Sequence, residues 1–185
     1  QMIQGLKAWA ARPENQKNIK ELKVISTGTD VAAQIAAIDN LIAAGYDAIV
    51  TIAVNPTAFE PVIKRAKKAG VVLVPFDNVL DTDQVIMVTE PQVPLEEVKA
   101  QFVYDHMPEK KGKVLEIRGL PGNSVDRDRS IGFHKVFDNK PGIEIVTVVG
   151  NWDDGTVQKV VSDAIATQGH FAGMVAQHGS TGLLN

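Results

Sequence analysis

No cysteine occurs in the 185 residues, basic side chains do not exceed acidic ones, and no apolar run approaches the roughly 20 residues of a membrane span. The first absence excludes a disulfide scaffold and a thiolate zinc site. The second, a net charge of −3, is the wrong sign for a nucleic-acid surface, which needs a basic excess to displace counterions. Disorder is excluded by what is abundant: 44% of the residues are apolar, aromatics included, enough for a core in one large domain or two small ones. No signal peptide opens the chain. It begins at Gln1 inside a helical pattern, so a targeting segment is expected to have been removed or to lie outside this stretch. The lack of cysteine fits an exported protein without establishing export.

Catalytic and cofactor motifs are missing as well. Gly119-Leu120-Pro121-Gly122-Asn123-Ser124 lacks the Gly-Lys-Ser/Thr ending of a phosphate loop, and no Gly-x-Gly-x-x-Gly follows a strand pattern. Gly122-Asn123-Ser124-Val125-Asp126 lacks the second glycine of a nucleophile elbow. His106, His134, His170 and His178 have no metal-type spacing, and Asn151 to Gly155 lacks the alternating oxygens and terminal Glu of a calcium loop. A binder without cofactor or metal is expected rather than an enzyme.

What is present is a rhythm. Strand-length apolar runs rich in Val and Ile recur at Leu22 to Ile25, Ala48 to Ala53, Val71 to Phe76, Val85 to Val88, Val114 to Ile117, Ile143 to Val149 and Phe171 to Ala176. Nearly continuous runs of this kind read as strands buried on both faces. Helical stripes lie between most of them. Val31, Ile35, Ile38, Leu41 and Ile42 share a face behind an Asp30 N-cap. Phe59, Val62, Ile63 and Ala66 share another, opened by Asn55-Pro56 and closed by Gly70. Leu95, Val98, Phe102 and Val103 form a third after Pro94, Ile131, Val136 and Phe137 belong to a fourth, and Val157, Val160, Val161, Ala164 and Ile165 to a fifth. Strand, helix, strand predicts βαβ crossovers, hence an α/β fold with parallel sheets. The rhythm breaks once, where Val71 to Phe76 is followed closely by Val85 to Val88 and then by Glu90-Pro91-Gln92-Val93-Pro94. This predicts a domain crossing near Thr89, with doubly wound lobes at 1–89 and 90–185 and a cleft between them. Met2, Ile3, Leu6, Trp9 and Ala10 share a helical face with no strand before it, and little follows Gln177, so truncation at both ends is expected.

Several stretches carry a family resemblance. Gln34-Ile35 with Leu41 to Val50, Ala69 to Asn78, Gly112 to Gly119, Asp126 to Phe133 and Gly150 to Asp153 occur in the order found in sugar-binding periplasmic proteins of ABC transporters, the ribose-binding-like type. The same core serves as the effector domain of LacI-type repressors, the alternative reading, although no basic helix pair stands at the N-terminus here. The resemblance implies two lobes closing on a monosaccharide or polyol, a membrane permease with its ATPase as partner, a monomer, and a periplasmic or externally lipid-anchored location. It also implies relatives longer at both ends.

Six residues are candidates for ligand binding. Asp77 and Asn78 follow a buried strand, where ligands of open α/β sheets bind, and an acid beside an amide suits sugar hydroxyls; an Asx turn would equally explain them. The resemblance places a ligand-binding pair there, though ribose-type members often carry Arg at the Asn78 position. Arg127 offers a planar fork to adjacent hydroxyls or a carboxylate, against the plainer reading of Asp126 to Arg129 as a solvated charge run. By resemblance Arg127 is the ligand-binding arginine and Arg129 a packing or lobe-anchoring one. Trp152, on the Gly-bounded loop Gly150 to Gly155, is either a stacking platform for a sugar ring or a cap on the core edge. His178 follows the last strand, where the family often has an amide, and is otherwise a surface histidine. Asn55 is explained by N-capping, with ligand contact secondary.

Overall fold

A computed structural model describes residues 2–178. The expected α/β class is what forms. α1 (Met2–Ala10) and α2 (Pro13–Gln16) precede an extended segment, and then helices and parallel strands alternate: α3 (Val31–Ala43), β1 (Ala48–Thr51), α4 (Glu60–Ala69), β2 (Val72–Pro75), α5 (Gln92–His106), β3 (Gly112–Arg118), α6 (Ser124–Phe137), β4 (Ile143–Val149), α7 (Asp154–Gln168) and β5 (Gly173–Ala176). β1 pairs with β2 in one parallel sheet, Ala48 opposite Val72; the other sheet has the order β4-β3-β5, with Val114 opposite Ile145 and Gly173.

The cores follow from the helical stripes. Ile38 of α3 and Val62, Ile63 and Ala66 of α4 close over Ile49 and Leu73 of the first sheet, with Phe59 and Leu80 from its loops. In the second sheet alternate residues of β3 point to opposite faces: Val114 joins Phe133, Val136 and Phe137 of α6, while Leu115 and Ile117 join Val157, Val161 and Ala164 of α7. Asp30 caps α3 as its position suggests, accepting from the Ala33 N–H at 2.9 Å.

Four local expectations are corrected. Residues 21–27 form no strand, and Leu22, Val24 and Ile25 stay exposed, because nothing among the described residues pairs with them. Val85 to Val88 contributes only a single bridge, Phe76 to Val88, since the seven polar-rich residues before it hold the chain in turns. α4 begins at Glu60 with Pro61 in its first turn, whereas Asn55 folds its own turn upstream by accepting from the N–H groups of Thr57 and Ala58. The stripe of α5 is also misplaced. Val98 and Phe102 are 69% and 63% exposed, while Gln92, Glu96 and Ala100 are buried against α6, so a polar stripe won the interior through ion pairs and hydrogen bonds.

α5 and α6 approach closely because Gly132 has no side chain. A Cβ there would stand 2.4 Å from the Val93 carbonyl oxygen and 3.0 Å from Glu96 Cβ. In a free helix Gly→Ala gains up to about 1 kcal/mol. At Gly132 the clash reverses the sign, and Gly132→Ala is expected to lose about 1–3 kcal/mol in urea unfolding. Gly5→Ala in α1, with nothing within 4 Å, is expected to be neutral or stabilising.

Candidate functional site

Each of the five strands among the described residues is followed, in its loop or the next helix, by a predicted residue. Asn55 follows β1, Asp77 and Asn78 follow β2, Arg127 lies in the first turn of the helix after β3, Trp152 follows β4 and His178 follows β5. That is the carboxyl edge of both sheets, where loops and helix N-termini collect. Among the described residues no hydrogen bond joins any two of the six, so they form a rim of separate groups rather than a closed network.

Asp77 is held in the left-handed region at φ 62°. Its N–H donates to the Val88 carbonyl at 2.8 Å, and its own carbonyl accepts from Thr89 Oγ1 at 2.9 Å. Two backbone anchors thus sustain a conformation that costs a non-glycine residue about 1 kcal/mol or more. Asn78 is buried, and its carbonyl accepts from the Ala53 N–H at 3.2 Å, tying the loops after β1 and β2 together. Gln34 of α3 braces the same place, donating to the Ile52 carbonyl at 2.7 Å and accepting from the Val54 N–H at 3.0 Å.

On the second sheet the organiser is Asp126, which is fully buried rather than part of a solvated charge run. It accepts from Arg118 at 2.6 and 3.2 Å and from the Gly119 N–H at 3.0 Å. Gln177 Nε2 donates to the Asp126 carbonyl at 3.0 Å, and Gly119 N–H is shared with Gln177 Oε1 at 3.2 Å. The ends of β3 and β5 are thereby fixed to α6. Arg129 takes the anchoring part assigned to it: Nε donates to Gln92 Oε1 at 2.8 Å and Nη1 to the Gln177 carbonyl at 2.5 Å. Lys99 completes the anchor, bonding buried Glu96 at 2.7 Å and the Ala176 carbonyl at 2.8 Å. Burial pushes the Glu96 carboxyl above its ordinary value, against the pull of Lys99.

Arg127 reaches from α6 to the loop after β2. Nη1 and Nη2 meet Asp81 at 2.8 and 3.1 Å, and Nε meets Asp128 at 2.8 Å. Bonding to Asp81, then to Asp128, holds the guanidinium above its ordinary value. Two further bonds cross at the same place: Asn123, while capping α6 through Val125 N–H, donates to the Ala53 carbonyl at 3.2 Å, and Ser124 Oγ donates to the Val79 carbonyl at 2.9 Å.

Trp152 and Asn151 are consecutive residues at φ 56° and 54°. The bend lays the indole on Gly119, where a Cβ would stand 2.1 Å from Cε2, so this packing exists only because residue 119 is glycine. The indole N–H is buried and has no acceptor among the described residues. Asp153 caps α7; bonds from Thr156 Oγ1 and N–H hold its carboxyl below its ordinary value. His178 Nε2 lies 3.5 Å from Asp154 Oδ1. A cavity of about 410 Å³ beside Arg127's partner is floored by Phe59, Ile63 and Leu80 and rimmed by Glu60, Asp81 and Asp83; it includes none of the six predicted residues.

Asp81, Asn123, Ser124 and Gln177 were not predicted as part of the site. Their roles depend on the approach of distant loops, which no local pattern encodes. The rule that strand ends carry function could have found Gln177, next to His178.

The profile of the family described as "periplasmic binding protein domain" matches residues 1–183. The chain is 29% identical over 135 residues to the ribose import binding protein of Bacillus subtilis, covering 72% of this chain and 43% of the relative. It is 28% identical over 166 residues to the xylitol-binding protein of Mycolicibacterium smegmatis, covering 88% and 47%. A solved ABC-transporter solute binding protein from Thermobispora bispora superposes with a TM-score of 0.90 at 26% identity, covering 98% of this chain and 57% of that one. The chain spans a little under half the length of the curated relatives it matches. No helix among the described residues is long and apolar enough to cross a membrane.

Gly119→Ala is expected to lift the indole of Trp152 off its seat. In a Trp9→Phe background, the emission should shift to the red and iodide quenching should rise; unchanged emission would refute the packing. Glu96→Gln is expected to stabilise the protein at neutral pH. Since the folded carboxyl binds its proton more tightly than the unfolded one, Glu96 contributes most below its ordinary value of 4.5 and loses that contribution as pH rises through the raised value. Urea midpoints across pH should therefore converge for the two proteins in acid.

Proposed function

Because this chain belongs to the family of periplasmic binding protein domains, we propose that it is the ligand-capturing part of an ABC-transporter solute receptor. Its lobes, 1–89 and 90–185, close by a hinge on a monosaccharide or related polyol. The observation that supports the reading is the position of Asn55, Asp77, Asn78, Arg127, Trp152 and His178 in the segments that follow strands of both sheets.

The groups divide the work of holding a sugar. Asp77 accepts from two hydroxyls, Asn78 and Asn55 supply amide donors and acceptors, and Arg127 supplies donors alone. Trp152 covers an apolar ring face. His178, beside Asp154, donates or accepts according to its tautomer. Ribose import and xylitol binding, the functions named for two relatives, fit polyhydroxyl chemistry. A membrane permease receives the ligand from the receptor, which works outside the cytoplasm, in the periplasm or lipid-anchored, as a monomer. Closure is driven by contacts that the ligand completes to both lobes at once.

A tryptophan-fluorescence titration against pentoses, hexoses and polyols tests this reading. A saturable response to one or two of them, lost in Trp152→Phe and retained in Trp9→Phe, is expected. Asp77→Ala should weaken that binding by about 1–3 kcal/mol, since it leaves hydroxyls without an acceptor in the cleft. No response from the folded protein across the panel would overturn the proposal.

A further inference from the structure

Resting on the receptor reading above, we propose that Asp81 is a specificity-determining residue: by pairing with Arg127 across the two lobes, it admits uncharged hydroxyl ligands and excludes anionic ones. An arginine at the mouth of a cleft would otherwise be an anion receptor, because its fork fits carboxylate and phosphate oxygens two at a time. Here that fork is already taken. Asp81 accepts from both Nη atoms, at 2.8 and 3.1 Å, and Asp128 accepts from Nε at 2.8 Å. Of the five N–H donors of a guanidinium, two remain, one on each Nη, and they can serve hydroxyl oxygens.

The charge balance points the same way. One guanidinium faces two carboxylates, so the group as a whole is negative. Arg127 is 45% and Asp81 40% exposed, which leaves the pair in contact with solvent and any arriving solute. The adjoining cavity adds Asp83 and Glu60, the latter paired with Lys64 at 2.7 Å from outside the lining, together with Thr57, Thr82 and Gln84; the lining itself contains no cationic side chain. Hydroxyls and an amide beside a net excess of carboxylate charge recognise neutral polyols and repel phosphate esters or sugar acids. Asp81 comes from the loop after β2 while Arg127 belongs to α6, so the screen is complete only when the two lobes are together.

Inorganic phosphate is the probe that separates this role from sugar recognition. Its binding would be followed at the Arg127 Nε–H resonance in the wild type, Asp81→Asn, Asp81→Ser and Asp81→Glu. Removing one neighbouring charge should tighten phosphate binding at Arg127 by about tenfold in Asp81→Asn and Asp81→Ser. Asp81→Glu, which keeps the charge, should behave as the wild type. In parallel, the preference for galactose over galacturonate should narrow in the two neutral variants. Equal phosphate affinity in all four proteins, or an Asp81→Glu response matching Asp81→Asn, would overturn the proposal. If no neutral sugar binds the wild type, the receptor reading falls, while the phosphate series still decides whether Asp81 shields Arg127. Two neutral substitutions guard against one that fails to fold.

Discussion

The second half of the molecule depends on one buried carboxylate. Asp126 has no solvent contact, so its charge must be met inside the protein, and leaving it unpaired would cost several kcal/mol. Arg118 from the end of β3 meets it, the Gly119 N–H adds a further bond, and Gln177 clasps the same turn of α6 from the end of β5. Two consecutive elements and a distant third are thereby held in one register. The consequences spread outward. With the first turn of α6 fixed, Arg127 points away toward the loop after β2; with Gly119 fixed, the indole of Trp152 has a floor.

The fold was largely legible because βαβ units advertise themselves: Val- and Ile-rich runs alternate with helical stripes, and caps such as Asp30 mark their starts. What misled was hydrophobicity read without partners. Leu22, Val24 and Ile25 look like a strand, but a strand exists only against a neighbour. Val50 and Val72 read as buried on both faces, yet each is more than half exposed, since a two-stranded sheet with helices packed on one side leaves the other open. α5 shows the limit from the opposite direction. Its interior face is Gln92, Glu96 and Ala100, and periodicity of apolar residues cannot announce a face held by Lys99 and Arg129.

The candidate site was legible in its positions more than in its connections. Strand ends are visible in sequence, so Asp77, Trp152 and His178 could be singled out. Pairings across the chain were not visible. Asp81 and Arg127 are 46 residues apart, and Asn123 reaches a carbonyl 70 residues away. Asp126 and Arg127 are neighbours in a run of alternating charge, yet one is wholly interior and the other half exposed. Nothing in the run Asp126-Arg127-Asp128-Arg129 distinguishes them; the turn of the helix and the position of β3 do.

The contacts between the two sheet units are few and individually modest. An exposed ion pair such as Asp81 with Arg127 is worth about 0–1 kcal/mol. The bonds from Asn123 and Ser124 to the carbonyls of Ala53 and Val79 add roughly 0.5–1.5 kcal/mol each. The sum is comparable to what a small polar ligand gains by touching both sides. On the proposed receptor reading this balance matters, because a ligand shifts a conformational equilibrium only by its differential affinity for the two states. A large apolar interface would hold the units shut with or without ligand, and no interface at all would make the ligand supply the whole ordering cost. Three polar bridges from one helix N-terminus lie between those extremes. They reach backbone carbonyls and a carboxylate that water can satisfy equally well once the units part, so opening leaves no buried group stranded.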